Sequence, residues 1–350
     1  MAVFTIPDIK LCGLAGCVPK QTQDNKEIEI LKPNERDLFI NTVGIRYRKL
    51  VPDGVTAADL CFEAAKKLIT DLNWNCDEIK LLVFITQTPD YVIPNTSSIL
   101  QQKLCLPKSC LAFDVNLGCS GYVYGLSIIG GLLQNMPGAK ALLLVGDIST
   151  RTISMQDKST APLFSDAGTA TALEFSKGRQ IHFNMQTDGA EYDDIIVPDG
   201  GFRNRVTSES FEVKTYEGGI QRSGLDMKLD GIKIFNFALR EVAPNINALL
   251  KDKAIDKESI DYFVFHQANR LMLESVRKKL QIAPEKVPYS LYDYGNTSSA
   301  SIPVTLIANL SNQLTTKTNR LLLSGFGVGL SWGSAYLETE NIVCPELIEL

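Results

Sequence analysis

The sequence is poor in histidine and lacks closely spaced cysteines. Only two of its 350 residues are histidine, and none of its eight cysteines stands in a Cys-x-x-Cys pair. Structural zinc sites usually combine such pairs with further cysteine or histidine ligands. The composition therefore argues against a metal site.

A long uninterrupted hydrophobic run is also absent. The longest apolar stretch, 117–133, contains five glycines and two serines, and it falls short of the roughly 20 apolar residues that a membrane-spanning helix needs. We predict a buried core helix there and no membrane span. Because the first residues show no basic segment followed by an apolar one, we expect a cytoplasmic protein with reduced thiols.

Positive charge is limited as well. The chain has 35 Lys and Arg residues against 40 Asp and Glu residues, which gives a net charge of −5. Nucleic acids are bound chiefly through clustered Lys and Arg. The balance argues against nucleic acid as a main partner, and an anionic carrier protein would need a local basic patch.

The hydrophobic pattern that is present is typical of an α/β protein. Short runs rich in Val, Ile, Leu and Phe alternate with amphipathic segments, as in a buried sheet covered by helices on both faces. The predicted strands are 80–85, 111–115, 141–145, 262–265 and 321–323, and the predicted helices are 57–71, 97–103, 121–133, 232–250, 270–280 and 298–310. The polar, glycine-rich region 199–231 is predicted to form a loop or cap.

The two halves of the chain share a pattern. Similar apolar runs begin at Leu81 and Tyr262, 181 positions apart, and at Leu142 and Leu321, 179 positions apart. Two nearly equal offsets favour a duplicated unit, with an N-terminal half at 1–180 and a C-terminal half at 181–350. Two matched strands also arise by chance in α/β proteins, so that alternative stays open here.

Cys119 is the strongest candidate nucleophile. It stands in Asn-Leu-Gly-Cys-Ser-Gly, where a predicted buried strand runs through a glycine-flanked turn into a predicted helix. Free N–H groups and the positive end of the helix dipole stabilise a thiolate at such a position. We therefore expect a thiol whose pKa lies below the usual value of about 8.5. The alternative interpretation is that Cys119 is an ordinary small residue at a strand-to-helix turn.

Two further polar side chains occupy comparable turns. His266 follows a predicted buried strand, where α/β sheets commonly place catalytic groups, whereas His182 follows a basic loop and is interpreted as a surface residue. Asn296 stands at the start of a predicted helix and could serve only as a turn or cap residue. If the halves are duplicates, however, Asn296 lies 177 positions from Cys119 and faces it across a pseudo-twofold axis.

With these residues in place, the sequence resembles the β-ketoacyl-(acyl carrier protein) synthase III family of the thiolase superfamily. The resemblance runs from about 13 to 336, and six motifs carry it in family order: Thr-Val-Gly-Ile-Arg at Thr42, Asp-Val-Asn-Leu-Gly-Cys-Ser-Gly at Asp114, Phe-Ser-Asp-Ala-Gly-Thr-Ala at Phe164, His-Gln-Ala-Asn at His266, Gly-Asn-Thr-Ser-Ser-Ala-Ser at Gly295 and Gly-Phe-Gly-Val-Gly-Leu-Ser-Trp-Gly-Ser at Gly325. It implies a thiolase-like α/β fold with two duplicated halves in a five-layer α-β-α-β-α architecture.

The resemblance implies an acyltransferase of fatty acid biosynthesis that needs no cofactor. Cys119 would accept an acyl group from acyl-ACP or acyl-CoA, where ACP is acyl carrier protein. His266 and Asn296 would help malonyl-ACP to lose carbon dioxide and condense with that group, giving a 3-oxoacyl thioester. The backbone N–H groups of Cys119 and Val328 would form an oxyanion hole.

Substrate contacts follow from the same resemblance. The acyl pocket would include Phe326, Ile93, Met227 and Phe235, and Ile93 stands where the family's other subunit inserts a bulky ring. Carrier or coenzyme A contacts would be Arg151, Arg270 and Asn269. Leu38 and Thr42 replace an aromatic and a basic residue of well-known members, which argues against coenzyme A as the natural donor. A homodimer with an interface near 91–106 is also implied.

Two other functions remain open on the residues alone. One is transfer of the Cys119-bound acyl group to a hydroxyl or amine without decarboxylation. The other, of a different class, is a non-catalytic subunit that binds a carrier. The presence of Cys119, His266 and Asn296 together argues against the second alternative.

Overall fold

Two long antiparallel strands join the halves of a nine-stranded sheet in the computed structural model, which describes residues 2–350. The strands are β1 (Ala2–Val18), β2 (Thr22–Asp24), β3 (Tyr47–Lys49), β4 (Ile79–Ile85), β5 (Leu111–Val115), β6 (Lys140–Asp147), β7 (Ala167–Thr187), β8 (Ile195–Ile196), β9 (Lys214–Thr215), β10 (Gln221–Arg222), β11 (Lys228–Leu229), β12 (Tyr262–Phe265), β13 (Thr318–Gly327), β14 (Ser331–Glu340) and β15 (Ile348–Glu349). The helices are α1 (Pro33–Val43), α2 (Ala57–Asp71), α3 (Thr96–Lys103), α4 (Gly121–Leu133), α5 (Gly231–Asp252), α6 (Arg270–Leu280), α7 (Leu291–Tyr294) and α8 (Ser301–Thr316).

The strand order is β12-β13-β14-β7-β6-β4-β5, and β1 lies beside β7. The first part of β7 pairs with β6, and its last part pairs with β14. β1 follows β7 across both parts. In the N-terminal half β4 is parallel to β5 and β6, and in the C-terminal half β12 is parallel to β13. Each half therefore contributes parallel strands whose carboxyl ends can carry functional groups.

The matched apolar runs are paired strands in each half of the chain. Leu82 lies beside Leu142 in the N-terminal half, and Tyr262 lies beside Leu321 in the C-terminal half. If Leu142 is equivalent to Leu321, this register makes Tyr262 equivalent to Leu82 rather than to Leu81. We keep two duplicated halves as our interpretation, although the proposed boundary at 180/181 falls inside β7, a strand that both halves share.

Side chains of the sheet face helices on both sides. Leu81, Val83 and Ile85 of β4 pack with α4 and α8 in a central core, while Leu82 and Phe84 pack with α2 on the outer side. This alternation follows from the two-residue period of a strand. On the other outer side α5 and α6 pack against β12 and β13. The result is the thiolase-like five-layer arrangement, with α4 and α8 between the two halves of the sheet.

The region 199–231 forms the predicted cap. It contains two short ribbons, β9–β10 and β8–β11, the latter including residues just before the region. The Met227 N–H donates to the Thr152 carbonyl, and the Arg222 guanidinium pairs with the buried carboxylate of Asp157. These contacts hold the cap over the carboxyl end of β6. Among the described residues, no helix has the length and apolar character to cross a membrane.

Candidate active site

Cys119 lies where the two halves of the chain meet. It precedes α4 by two residues, as the strand-turn-helix pattern predicts, and Gly327 at the end of β13 packs against it. A Cβ atom on Gly327 would lie 2.6 Å from the Cβ and 2.8 Å from the Sγ of Cys119. Only a residue without a side chain lets the backbone of β13 approach the sulfur this closely.

Backbone donors from both halves reach the sulfur. Hydrogen bonding by the backbone of Val328 and of Cys119 and by the Ser298 side chain favours the thiolate and acts to lower the pKa of Cys119. Burial acts in the opposite direction and is the larger effect, so the pKa of Cys119 rises to about 11. The nearby Asp147 carboxylate raises it further. The expectation of a pKa below about 8.5 is therefore wrong for the resting protein, because desolvation of a thiolate outweighs the donors at the helix start.

His266 follows β12 and is buried, as predicted. The backbone N–H of His266 donates to the Ser324 carbonyl of β13. In its side chain, the ring Nδ1 lies 2.7 Å from the Ser301 hydroxyl oxygen. The Phe326 ring meets the imidazole edge to face, with 5.7 Å between ring centroids. Burial lowers the pKa of His266 to about 3, although a hydrogen bond to the Ser298 backbone opposes this shift. The imidazole is neutral at pH 7, in an orientation set by its neighbours.

Backbone hydrogen bonds fix the position of Asn296. The backbone N–H of Asn296 donates to the Leu163 carbonyl, and the backbone carbonyl of Asn296 accepts from the Ser165 N–H. These two bonds form an isolated β-bridge between Asn296 and Phe164. The Asn296 Oδ1 accepts from the Ser298 N–H at 2.9 Å. Within residues 2–350 the Nδ2 group has no hydrogen-bond partner, and Asn296 lines the cavity that contains Cys119. The side chain is therefore positioned as a donor.

Two cavities meet at Cys119. A cavity of about 120 Å³ is lined by Cys119, His266 and Asn296 together, with Phe326 and Gly327. A second, of about 310 Å³, extends from Cys119 along the β8–β11 ribbon. A larger cavity of about 1000 Å³ lies in the cap and is lined by none of the three predicted catalytic residues. The chemistry of the site therefore centres on the two smaller cavities.

The predicted acyl-pocket residues lie in four different places. Met227 lines the 310 Å³ cavity. Phe326 instead contacts His266 in the smaller cavity. Phe235 lies in an outer mouth of about 290 Å³, because successive helix residues point about 100° apart and the preceding Ile234 takes the inward position. Ile93 is 84% exposed and lines none of the described cavities of its own chain.

The predicted carrier contacts also separate. Asn269 lines both the catalytic cavity and the outer mouth, and its Oδ1 caps α6. Arg270 is exposed at the start of α6, next to Gly44. Arg151 lines none of the described cavities. It pairs with Asp53 at 2.8 Å and donates to the Val51 carbonyl, because its short helical turn faces the loop at 51–53. The role of Arg151 as a substrate contact stays a prediction.

Three supporting residues were not identified from the sequence. Ser301 contacts His266, and Phe164 lines both cavities that meet at Cys119. The buried Asp147 carboxylate accepts hydrogen bonds from the Gln87 N–H and the Ser299 hydroxyl. Ser301 and Phe164 stand within motifs that the sequence shows, but only the packing reveals what they contact.

Comparison with known proteins gives matches over most of the chain. The family model described as 3-oxoacyl-[acyl-carrier-protein] synthase III matches residues 113–189, and the model of its C-terminal part matches residues 250–339. A β-ketoacyl-[acyl-carrier-protein] synthase III of Streptococcus agalactiae serotype III is 32% identical over 333 residues, which cover 93% of this chain and 97% of the relative.

Solved structures give the same result. The 3-oxoacyl-(acyl-carrier protein) synthase of Burkholderia xenovorans LB400 superposes with a TM-score of 0.92 at 38% identity, covering 99% of both chains. The 3-oxoacyl-(acyl carrier protein) synthase III of Pseudomonas aeruginosa PAO1 superposes with a TM-score of 0.81 at 26% identity, covering 96% of this chain and 99% of that one. The similarity therefore extends over nearly the whole chain.

Proposed function

Because the chain belongs to the 3-oxoacyl-[acyl-carrier-protein] synthase III family of acyl-transferring condensing enzymes, we propose that it joins an acyl group held on Cys119 to a malonyl unit carried by ACP. The observation that carries this assignment is the shared cavity of Cys119, His266 and Asn296. These residues come from both halves of the chain and have no structural need to share one cavity.

The first step is acyl transfer to Cys119. The sulfur attacks the thioester carbonyl carbon, the bond from that carbon to the carrier sulfur breaks, and the carrier thiol leaves with the proton. The backbone N–H groups of Cys119 and Val328, which act to lower the pKa of the thiol, would donate to the oxyanion that forms beside it. Burial keeps the resting thiol protonated, so the thiolate develops only as the thioester binds.

The second step is decarboxylation and condensation. The malonyl thioester loses carbon dioxide, and the electron pair of the broken carbon–carbon bond forms an enolate. The Asn296 amide and the neutral His266 imidazole can donate hydrogen bonds to the enolate oxygen. The enolate carbon then attacks the acyl carbonyl, and the bond to the Cys119 sulfur breaks as the 3-oxoacyl thioester forms.

The carrier would approach through the outer mouth. This opening is lined by Thr42, Val43, Ile232, Phe235 and Leu271, and it shares Asn269 with the catalytic cavity. Its lining is largely apolar and suits the neutral pantetheine arm that carriers and coenzyme A have in common. The exposed Arg270 next to it is a candidate contact for the acidic surface of a carrier protein.

We also propose a homodimer. β5 is the last strand on one side of the sheet, and Tyr91, Val92 and Ile93 form an exposed apolar segment in the same half. Open strand edges and exposed apolar patches are typical of interaction surfaces. Analytical ultracentrifugation should give twice the chain mass, and a monomer at micromolar concentration would contradict this assignment.

Intact-mass analysis with a panel of acyl thioesters tests the function. The wild-type chain should gain the mass of the acyl group, and Cys119→Ala should gain none and lose condensation by about 10³-fold or more. The exposed Cys105 offers a matched control, since Cys105→Ala should acylate normally. Acylation that persists in Cys119→Ala would refute the nucleophile.

The same experiment separates condensation from simple acyl transfer. Addition of malonyl-ACP to the acylated enzyme should release carbon dioxide and a 3-oxoacyl product. If acyl groups instead pass to a hydroxyl or amine acceptor without carbon dioxide release, the condensation assignment fails and the alternative reaction replaces it.

A further inference from the structure

The cap has an uneven distribution of charge. The region 199–231 contains five cationic and six acidic residues, so acidic residues are in slight excess. All five cations line the cavity of about 1000 Å³ in the cap, whereas only two of the acidic residues do. The cations are Arg203, Arg205, Lys214, Arg222 and Lys228. The cap cavity is therefore a local basic patch on a chain whose net charge is −5.

The backbone holds two of these cations opposite each other. Lys214 of β9 and Arg222 of β10 are paired in register in an antiparallel ribbon. Like charges directly opposite each other in a sheet are destabilising. The buried Asp157 carboxylate compensates Arg222 at 3.4 Å, but within residues 2–350 no carboxylate pairs with Lys214. An anionic partner would relieve the repulsion that remains.

Arg203 and Arg205 are also available to a partner. Both are exposed, and neither pairs with a carboxylate in the part of the chain that the structure describes. Phe202 is 82% exposed and lines the same cavity, so an apolar contact adjoins the two guanidinium groups. Phe211 and Val213 are further exposed apolar residues of the cap. Exposed apolar residues grouped with polar ones are typical of an interaction surface.

The cap cavity adjoins the outer mouth. Lys228 lines the cap cavity, Leu229 lines the catalytic cavity, and Gly231 lines both the catalytic cavity and the outer mouth. Because consecutive Cα atoms are about 3.8 Å apart, the Cα atoms of Lys228 and Gly231 are separated by at most about 11 Å. A globular domain of about 100 residues has a radius of gyration of about 13 Å. A carrier protein whose arm enters the mouth would therefore reach the cap.

The character of the patch favours an acidic protein over a small anion. Arg203, Arg205 and Lys214 are exposed, and the attraction between exposed charges is weakened by salt. A single small anion would gain little from such cations. A protein surface with several carboxylates contacts several of them at once, and the exposed Phe202 adds an apolar contact.

We propose that the cap docks the acidic surface of the carrier protein that delivers the malonyl unit, through Arg203, Arg205 and Lys214, while the carrier's arm enters the outer mouth. This inference rests on the proposed function and assigns the surface that recognises the carrier. The cap lies between 113–189 and 250–339, the segments that the family models match. Docking would thus depend on residues that those models do not cover.

Condensation kinetics test this docking surface. The acyl group is supplied on N-acetylcysteamine, a small thiol, so that the carrier protein enters the reaction only as malonyl-ACP. In Arg203→Glu/Arg205→Glu/Lys214→Glu the KM for malonyl-ACP should rise about tenfold or more, because three attractive contacts become repulsive, while kcat does not change. With malonyl-N-acetylcysteamine, which lacks the protein, the variant should match the wild type in both constants. This second substrate also shows that the variant is folded.

Lys20→Glu/Lys177→Glu/Lys317→Glu is the matched control. The three lysines are exposed and line none of the described cavities. Their replacement changes the net charge of the chain by the same amount as the cap variant does. The control should therefore retain the wild-type KM for malonyl-ACP.

Salt provides a second measurement. Attraction between exposed charges weakens as ionic strength rises, so the wild-type KM for malonyl-ACP should rise between about 50 and about 300 mM sodium chloride. The KM of the cap variant should not rise over the same range, because its attractive contacts have been removed.

The outcomes separate the inference from the proposed function. If the cap variant keeps the wild-type KM for malonyl-ACP, or if the control variant raises this KM equally, the inference is overturned while the condensing function stands. An equal rise with malonyl-N-acetylcysteamine would also overturn it, since the cap would then act on the small substrate. If phosphate inhibits the wild type more than chloride does at equal ionic strength, and the cap variant loses this difference, the cavity binds small anions instead and the inference fails. If the wild type condenses no substrate, both the function and the inference are overturned.

Discussion

The two halves of the molecule use equivalent positions for different purposes. If β6 and β13 are equivalent strands, their pairing with β4 and β12 places Thr86, which follows β4, at the position equivalent to His266, which follows β12. Thr86 donates to the buried carboxylate of Asp147, whereas His266 contacts the Ser301 hydroxyl and faces the catalytic cavity. The same strand end therefore supports the scaffold in one half and carries chemistry in the other.

The helix starts instead carry candidate functional groups in both halves. The turn before α4 carries Cys119, the proposed nucleophile, and the turn before α8 carries Asn296, the proposed neutral hydrogen-bond donor. Burial raises the pKa of Cys119 and lowers that of His266. Both groups are therefore uncharged at rest. The comparison teaches that the two halves supply similar positions, while residue type and burial decide which half would transfer the acyl group and which would stabilise the enolate in the proposed reaction.

Removing the donor of the C-terminal half should separate the two steps. Asn296→Ala should lower decarboxylation and condensation by about 10²–10³-fold, the usual effect of losing one oxyanion donor, while acylation of Cys119 continues. Carbon dioxide release and intact mass report the two steps. Asn309→Ala, at an exposed residue of α8 that donates to the Tyr289 carbonyl, is the control. An equal loss of both steps in Asn296→Ala would contradict the division of labour.

Filling the contact between the halves should impair acylation itself. In Gly327→Ala the new Cβ would meet Cys119 at 2.6–2.8 Å, and a displaced nucleophile commonly costs about 10²-fold in rate. Intact-mass kinetics measure the effect. Gly131→Ala on α4, where a Cβ meets nothing within 4 Å, should acylate normally. Wild-type kinetics for Gly327→Ala would show that the close approach of β13 is unnecessary.

Removing the hydroxyl group that orients His266 should have a smaller effect on the condensation rate. Ser301→Ala removes the hydroxyl that lies 2.7 Å from Nδ1, and losing one neutral hydrogen bond should slow condensation by about 5- to 10-fold. Acylation should not change. Ser275→Ala, which removes an exposed hydroxyl on α6, is the control. If acylation falls in parallel with condensation, Ser301 supports the fold of the site rather than the orientation of the imidazole.

The smallest predicted effect concerns the pH dependence of Cys119. Because burial raises its pKa to about 11, the thiolate fraction should rise with pH throughout the range from 7 to 10. Alkylation by iodoacetamide, followed at each cysteine by peptide mass spectrometry, should therefore still be accelerating at pH 10. The exposed Cys105 provides an internal reference for the reagent. A plateau near neutral pH would instead support activation by the helix start.

Much of the architecture could be predicted from local patterns. The strands 111–115 and 262–265 and the helices 57–71, 121–133 and 270–280 have the predicted bounds. In these segments local periodicity and tertiary burial agree. The long pair β1 and β7 was not predicted, because Pro7 interrupts one strand, the polar Ser-Lys-Gly-Arg segment at 176–179 interrupts the other, and only their mutual pairing makes them continuous.

The sequence by itself determined the family of the chain, the alternation of strands and helices, and the choice of Cys119, His266 and Asn296 as candidates, because these depend on residue types at short spacing. The tertiary structure alone decided which cavity Met227 and Phe235 line, that Arg151 faces Asp53, and that Ser301 contacts His266. It also decided the direction of the pKa shift at Cys119. The physical reason is that desolvation and packing depend on all atoms around a group, most of which belong to residues far away in the chain.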